Sequence, residues 1–234
     1  MLEWRKSLRD GLKGPRAPRV PTFHDLVELS EQLQLGVSPK AVRSFVRNSV
    51  ESGALVPVRK GVWLNPSAFP SPAIVEAAAR IRSGAVISLQ SVLGDAGILN
   101  NFTSQVFTIV PIPEIGGNPV LGQIEAAGTI FHFRAIPQAI LEAGDQSDRL
   151  VPFLHYARAT PEAALVHWIY LAKSTGSSLR MPDTQCDVSL LDGERVERLA
   201  ELAGVRHAAM AWIEKCKVRE DLDDEHVGWR GGPK

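Results

Sequence analysis

The stretch SPKAVRSFVRNSVESGALVPVRKGVWLNP, residues 38–66, decides how the head of this chain folds. Ser38 followed by Pro39 reads as a helix start. The hydroxyl accepts from a free N–H of the first turn, and proline at the first helical position loses no hydrogen bond. Val42, Phe45, Val46, Ser49 and Val50 share one face of that helix, while Lys40, Arg43, Ser44 and Arg47 fall on another. Gly53 ends it. ALVPVRKGVWLNP then alternates around Arg59-Lys60-Gly61, with glycine closing a short turn, which predicts a β-hairpin. Five cations in the stretch, Lys40, Arg43, Arg47, Arg59 and Lys60, meet one acid, Glu51.

Upstream, Trp4, Leu8 and Leu12 recur every four residues and predict a packed helix over residues 2–12. Thr22 with Asp25 three residues on predicts the start of a second helix, with Phe23, Leu26, Val27, Leu29 and Leu33 as its apolar stripe. Gly36 is placed as its stop. Three helices and a hairpin in this order outline a winged helix–turn–helix. In such a module the recognition helix enters the major groove. Arg43 is expected to offer guanine a bidentate fork, and Ser44 a hydroxyl to a base or phosphate. Lys40 and Arg47 are expected on backbone phosphates, and Arg59 and Lys60 at the wing tip on a flanking phosphate or the minor groove. Trp63 is expected to anchor the ribbon. The alternatives are a solvated cationic face on an ordinary three-helix domain, or a winged helix used for protein contacts.

The formal net charge of zero conceals an asymmetry. Residues 1–68 hold 11 Lys and Arg against 6 Asp and Glu, and residues 69–234 hold 15 against 20. A basic head on an acidic body predicts phosphate as the head's partner. Prolines at 66, 70 and 72 place a linker at residues 67–73 between a head, residues 1–66, and a body, residues 74–218, with a charged tail at 219–234. In the body, Ile74 to Ile81 reads as helix and GAVISL as a short strand. A helix follows, capped by Ser88 and stopped at Gly97. QVFTIV reads as a strand, PIPEIGGNP as a loop, and GTIFHFRAIP as a half-buried strand with Phe131, Phe133 and Ala135 on one side. LHYARATPEAALVHWIYLAKS reads as a strand running into a helix with Thr160 as cap and Pro161 at its first position. TGSSLRMPDTQ reads as a loop. Two amphipathic helices follow before a frayed tail. The fold class expected is mixed α/β of the α+β kind.

No catalytic signature is present among the usual motifs: no GxGxxG before a helix, no GxxxxGK[ST], no HExxH and no GxSxG. His24, His132, His155, His167, His207 and His226 are scattered, and Asp223, Asp224 and Glu225 read as a solvated run. Cys186 and Cys216 make no metal-binding spacing and no disulfide framework. A cytoplasmic protein that is not an enzyme and carries no cofactor or metal is expected. No apolar run approaches the roughly 18–20 residues of a membrane span. The first residues lack the apolar core of a secretory signal.

Two stretches carry a family resemblance. VISLQSVLGDAGIL, residues 86–99, is similar to the S-x-x-S-x-L-x-x-x-G-[IL] motif of the AbiEi family of antitoxins and transcriptional regulators. ARATPEAALVHWIYL, residues 157–171, resembles that family's A-T-P-E-[KR]-A-L helix start, with Ala163 where the family has a basic residue and His167 near where it often has an acid. FTIV and GTIFHFRAIP fall in the family's order, and the resemblance covers most of residues 20–215. It implies a head that binds inverted repeats in its own promoter, double-stranded DNA being the partner. It also implies a body that completes repression and opposes a nucleotidyltransferase-like toxin of a type IV system without a stable complex. Ser88, Ser91, Thr160 and Glu162 in these motifs read as capping and packing residues. A regulator whose body binds a small effector is the second reading, and a docking module or uncharacterised enzyme the third.

Overall fold

The computed structural model describes residues 3–14, 16–99, 104–113, 120–152 and 154–228, with side chains described through residue 218. Among them are ten α-helices, two short 3-10 turns and two sheets, a mixed α/β architecture of the α+β kind. No helix among the described residues is long and apolar enough to cross a membrane. The chain divides into two compact units, Met1–Ser83 with Glu125–Thr129, and Gly84–Ile124 with Ile130–Lys234.

In the first unit α1 (Glu3–Gly11), α2 (Phe23–Gln32) and α3 (Pro39–Glu51) precede an antiparallel ribbon of β1 (Val56–Arg59) and β2 (Val62–Leu64). The starts of α2 and α3 follow their side chains. Thr22 Oγ1 accepts from Asp25 N–H at 3.3 Å, and the Asp25 carboxylate accepts from Thr22 N–H at 2.7 Å, a complete capping box. Ser38 Oγ accepts from Ala41 N–H at 3.3 Å, ahead of Pro39 at the first helical position. The end of α2 differs from expectation. Gly36 has a positive φ but lies beyond the helix; the stop is Gln34, at φ 52°. Gln34 N–H bonds Glu31 O and Leu35 N–H bonds Ser30 O, a Schellman pair built without glycine. Leu8, Leu12, Leu26, Val42, Phe45, Val46 and Leu55 form the core, with Trp4 and Trp63 packed against it.

A third extended segment joins the ribbon. Trp63 N–H donates to Pro21 O at 3.0 Å, Asn65 N–H donates to Arg19 O at 2.9 Å, and Thr22 bridges Val62. The ribbon is thereby tied to the chain that enters α2.

The proline segment at 67–73 is not the boundary between the units. Arg19 forks onto Glu76, with Nε and Nη2 each 2.8 Å from a carboxylate oxygen, and also donates to the Pro70 carbonyl. Hydrogen bonding to Glu76 holds the Arg19 guanidinium above its ordinary pKa. Asn65 is fully buried and donates to Leu12 O at 2.8 Å and Pro18 O at 3.1 Å. The turn Ile74–Ala77 and α4 (Ala78–Ile81) therefore belong to the head, and the division falls between Ser83 and Gly84. Proline removes a donor but leaves its carbonyl free to accept, so a proline run still docks where donors face it.

The larger sheet has the order β3-β4-β6-β5, with β3 (Val86–Ile87), β4 (Val106–Ile112), β5 (Val120–Ala126) and β6 (Thr129–Pro137), and all of it but Glu125–Thr129 belongs to the second unit. β3 runs antiparallel to β4, and β4 runs parallel to β6 with Phe107 opposite His132 and Ile109 opposite Arg134. Phe131, Phe133 and Ala135 are buried, as the alternation requires. α5 (Gln90–Asp95) follows β3 and stops at Gly97, φ 75°. α6 (Gln138–Glu142) and α7 (Gln146–Arg149) lead to α8 (Pro161–Lys173), capped by Thr160. α8 is buried on nearly every side from Glu162 to Ile169 and packs on α5 and on α9 (Gly193–Leu202), as expected for a central helix. α10 (Arg206–Gly228) is the last helix among the described residues. Cys186 and Cys216 are buried and form no disulfide among the described residues.

Four further expectations change. β5, VLGQIEA, has no regular alternation to announce a strand. Its hairpin to β6 turns on Ala127 and Gly128, both at positive φ, and alanine in a type I′ position hides the usual Asn-Gly signature. The strand expected before α8 shrinks to bridges from Arg158 to Ile87 and from Ala159 to Leu150. Ser88 does not cap α5. Leu89 takes that place at φ 55°, and its reversal turns Ser88 inward. The expected frayed tail is helical to Gly228. Its last six residues, and 114–119 of the expected loop, lie outside the described residues.

Candidate nucleic-acid interface

α3 sorts its residues by periodicity. Val42, Phe45, Val46 and Ser49 are buried. Lys40, Arg43 and Arg47 are exposed on the opposite side, one turn apart from each other or nearly so. Arg43 lies with its Cζ 5.2 Å from the centre of the Phe23 ring, a cation–π contact that lays the guanidinium along the start of α2. At the ribbon, the register shifts between Pro57 and Arg59, so that Val58 is buried and Arg59 pairs with Val62. Arg59 and Lys60 are both exposed. Gly61 has φ 83°, the left-handed conformation that closes this tight turn. Among the described residues, Lys40, Arg47, Arg59 and Lys60 have no ion pair and no side-chain hydrogen bond.

Ser44 is placed differently from its fellow candidates. It is half-buried, and its hydroxyl accepts from Arg5 Nη2 of α1 at 3.3 Å. With its amide turned so that the oxygen faces Arg5, Asn48 accepts from Arg5 Nη1 at 3.2 Å and donates to the Ser44 carbonyl at 3.2 Å. Arg5 also lies over the Trp4 ring at 5.3 Å, and its buried Nε has no acceptor. The structure thus adds Arg5 and Asn48 to the flank of α3, and gives Ser44 the task of holding a guanidinium. The sequence signal was a cation next to the apolar stripe of a helix, which only the packing of α1 on α3 makes meaningful. Arg5 contacts no carboxylate among the described residues.

One buried pair in the second unit has the composition of a nucleophile and a base. Ser88 Oγ lies 3.0 Å from His167 Nδ1. Ser88 is fully buried and His167 is 2% exposed, so the pair is sealed from substrate in this conformation. Burial, with the Arg149 charge second, lowers the His167 pKa to about 3. The folded state therefore keeps this imidazole neutral while the unfolded chain protonates it near its ordinary value. Its contribution to stability is complete above about pH 6.5 and is lost as pH falls toward 3. His167→Asn, which keeps a polar group at the Nδ1 position, is expected to reduce the dependence of unfolding free energy on pH between about 6 and 4 by roughly 1.4 kcal/mol per pH unit. Urea unfolding at a series of pH values measures it.

His132 on β6 stacks on Phe107 with centroids 4.5 Å apart, and its Nε2 lies 2.7 Å from Gln105 Oε1. Burial and the neighbouring Arg134 charge lower its pKa. Cys186 Sγ donates to Asp183 O at 2.8 Å, and burial with the Asp183 charge pushes the thiol up to about 11. That environment disfavours a thiolate.

No protein-family model matches the chain. No curated protein matches it with significance. Among solved structures, the crystal structure of the RV2827C protein from Mycobacterium tuberculosis is similar at 19% identity, over 91% of this chain and 81% of its own, with a TM-score of 0.49.

Proposed function

We propose that the first unit is a winged helix–turn–helix that binds double-stranded DNA, and that the protein is an autorepressor and antitoxin of a type IV toxin–antitoxin system. The observation that carries the DNA reading is the set of exposed cations on α3 and at the ribbon turn. None of the five has an ion pair or a side-chain hydrogen bond among the described residues, and Arg43 makes a ring contact only. Side chains held in water without a partner are free to neutralise phosphates and release counterions. The pairing of residues 19–22 with the ribbon supports the reading, because it ties the ribbon to the chain entering α2, as a wing requires. In this reading Arg43 reads a base edge from a guanidinium oriented by Phe23. Arg5, held by Ser44 and Asn48, takes a phosphate at the flank. The antitoxin role rests on the resemblance of residues 86–99 and 157–171 to the AbiEi family.

The test is a gel shift with the DNA upstream of the gene across a salt series. Specific retention that weakens steeply with salt is the expected result; equal retention of unrelated DNA at every salt concentration contradicts it. Lys60→Ala is expected to weaken binding on all sequences alike and to reduce the salt slope by roughly one. The antitoxin role is tested by co-expression with a neighbouring nucleotidyltransferase-like toxin, where failure to restore growth contradicts it.

A further inference from the structure

We propose that a groove in the second unit, formed by the end of α8, residues 181–184 and the first turns of α10, binds a small amphiphilic monoanion, such as an aliphatic carboxylate. This site lies within the second unit and does not rest on the DNA reading.

The groove has a volume of about 330 Å³, the size of a small-molecule site. Its floor is apolar, made by the buried Pro182 and Trp212 with the half-buried Met181 and the exposed Ala211 beside them. Its basic lining comes from Lys173 on α8 and from His207 and Lys215 on α10, with no carboxylate among the lining residues. Ala211 and Lys215 are one turn apart on α10, so the lysine stem runs along the same face as the floor. None of the three basic groups has an ion pair among the described residues. This is against the trend of the chain beyond residue 68, which carries 15 Lys and Arg against 20 Asp and Glu.

The walls are held in place before any ligand arrives. Trp212 Nε1 donates to Pro182 O at 2.9 Å, and Trp168 Nε1 donates to Arg180 O at 2.8 Å. Two indoles from two helices thus pin the intervening segment, and a preformed site loses little entropy on binding. The chemistry of the lining selects the ligand. A neutral apolar molecule covers the floor but leaves both ammonium groups without a counter-charge. A compact polyanion meets the lysines but leaves the floor in water. A molecule with one anionic head and an apolar body satisfies both.

Calorimetric titration of the full chain with decanoate and with decanol tests this. Saturable binding of decanoate is expected, with decanol weaker by about tenfold or more, the scale of one lost charge-assisted contact. Lys173→Gln with Lys215→Gln is expected to reduce decanoate to the level of decanol. Ala211→Phe, which fills the groove and leaves its charge intact, is expected to abolish both. Thermal melts identify a variant that fails to fold, in which case the other decides. Equal binding of decanoate and decanol overturns the proposal, as does absence of saturable binding or parental affinity in both variants. A loss of DNA affinity in the folded double lysine variant also overturns it, since these lysines then belong to a nucleic-acid surface.

Discussion

Replacing Lys40, Arg47, Arg59 and Lys60 together by glutamine is expected to flatten the slope of log K against log salt for operator binding by roughly three to four units. The basis is counterion release. Each phosphate contact on duplex DNA contributes about 0.9 to that slope, so four contacts remove most of four units and, at physiological salt, on the order of a thousandfold in affinity. The four side chains suit this test because each is exposed and none carries internal structure: no ion pair or hydrogen bond among the described residues is lost with them. Stability is therefore expected to stay within about 0.5 kcal/mol for each change. The preference among sequences should survive, because phosphate contacts position the protein without reading bases. Arg43→Ala is the complement. It is expected to lose about 1–3 kcal/mol and to blur the preference at one base pair while altering the slope little. A quadruple variant that keeps the parental slope removes α3 and the ribbon turn from the binding surface.

Arg19→Ala is expected to destabilise the first unit by about 3–5 kcal/mol, because it removes the forked guanidinium from a buried carboxylate. The Glu76 side chain is 5% exposed and that of Arg19 15%, so solvent replaces little of the lost pairing. Three donor contacts of Arg19 go with it, two to Glu76 and one to the Pro70 carbonyl. Glu76→Gln is expected to cost less, since the amide oxygen still accepts from one of the guanidinium nitrogens or from Ala73 N–H, now 2.9 Å from Glu76 Oε1. Denaturant unfolding of the full chain, followed by the fluorescence of Trp4 and Trp63 in that core, measures the difference. A change below about 1 kcal/mol, the range of an exposed pair, returns residues 67–73 to the status of a linker.

Local chemistry made much of the first unit legible. Thr22 with Asp25 and Ser38 with Pro39 start helices because capping needs only neighbours in sequence, and both starts are where the side chains put them. The same holds for Thr160 ahead of α8 and for the buried alternation of Phe131, Phe133 and Ala135. The candidate site was legible as a list of cations, because exposure on one side of a helix follows from its period. What that list omitted was Arg5, whose meaning depends on α1 lying beside α3.

The sequence by itself determined the helix starts, the ribbon and the uneven distribution of charge, since each depends on residues within a few positions of one another. Tertiary structure alone decided where the units divide, because Arg19 and Glu76 are 57 residues apart and no local signal joins them. It also decided that Ser88 faces His167 rather than a helix end, and that residues 19–22 complete the ribbon. Each of these is a polar group finding its partner across the fold. Burial requires that partner to exist, and the chain order does not say where it will come from.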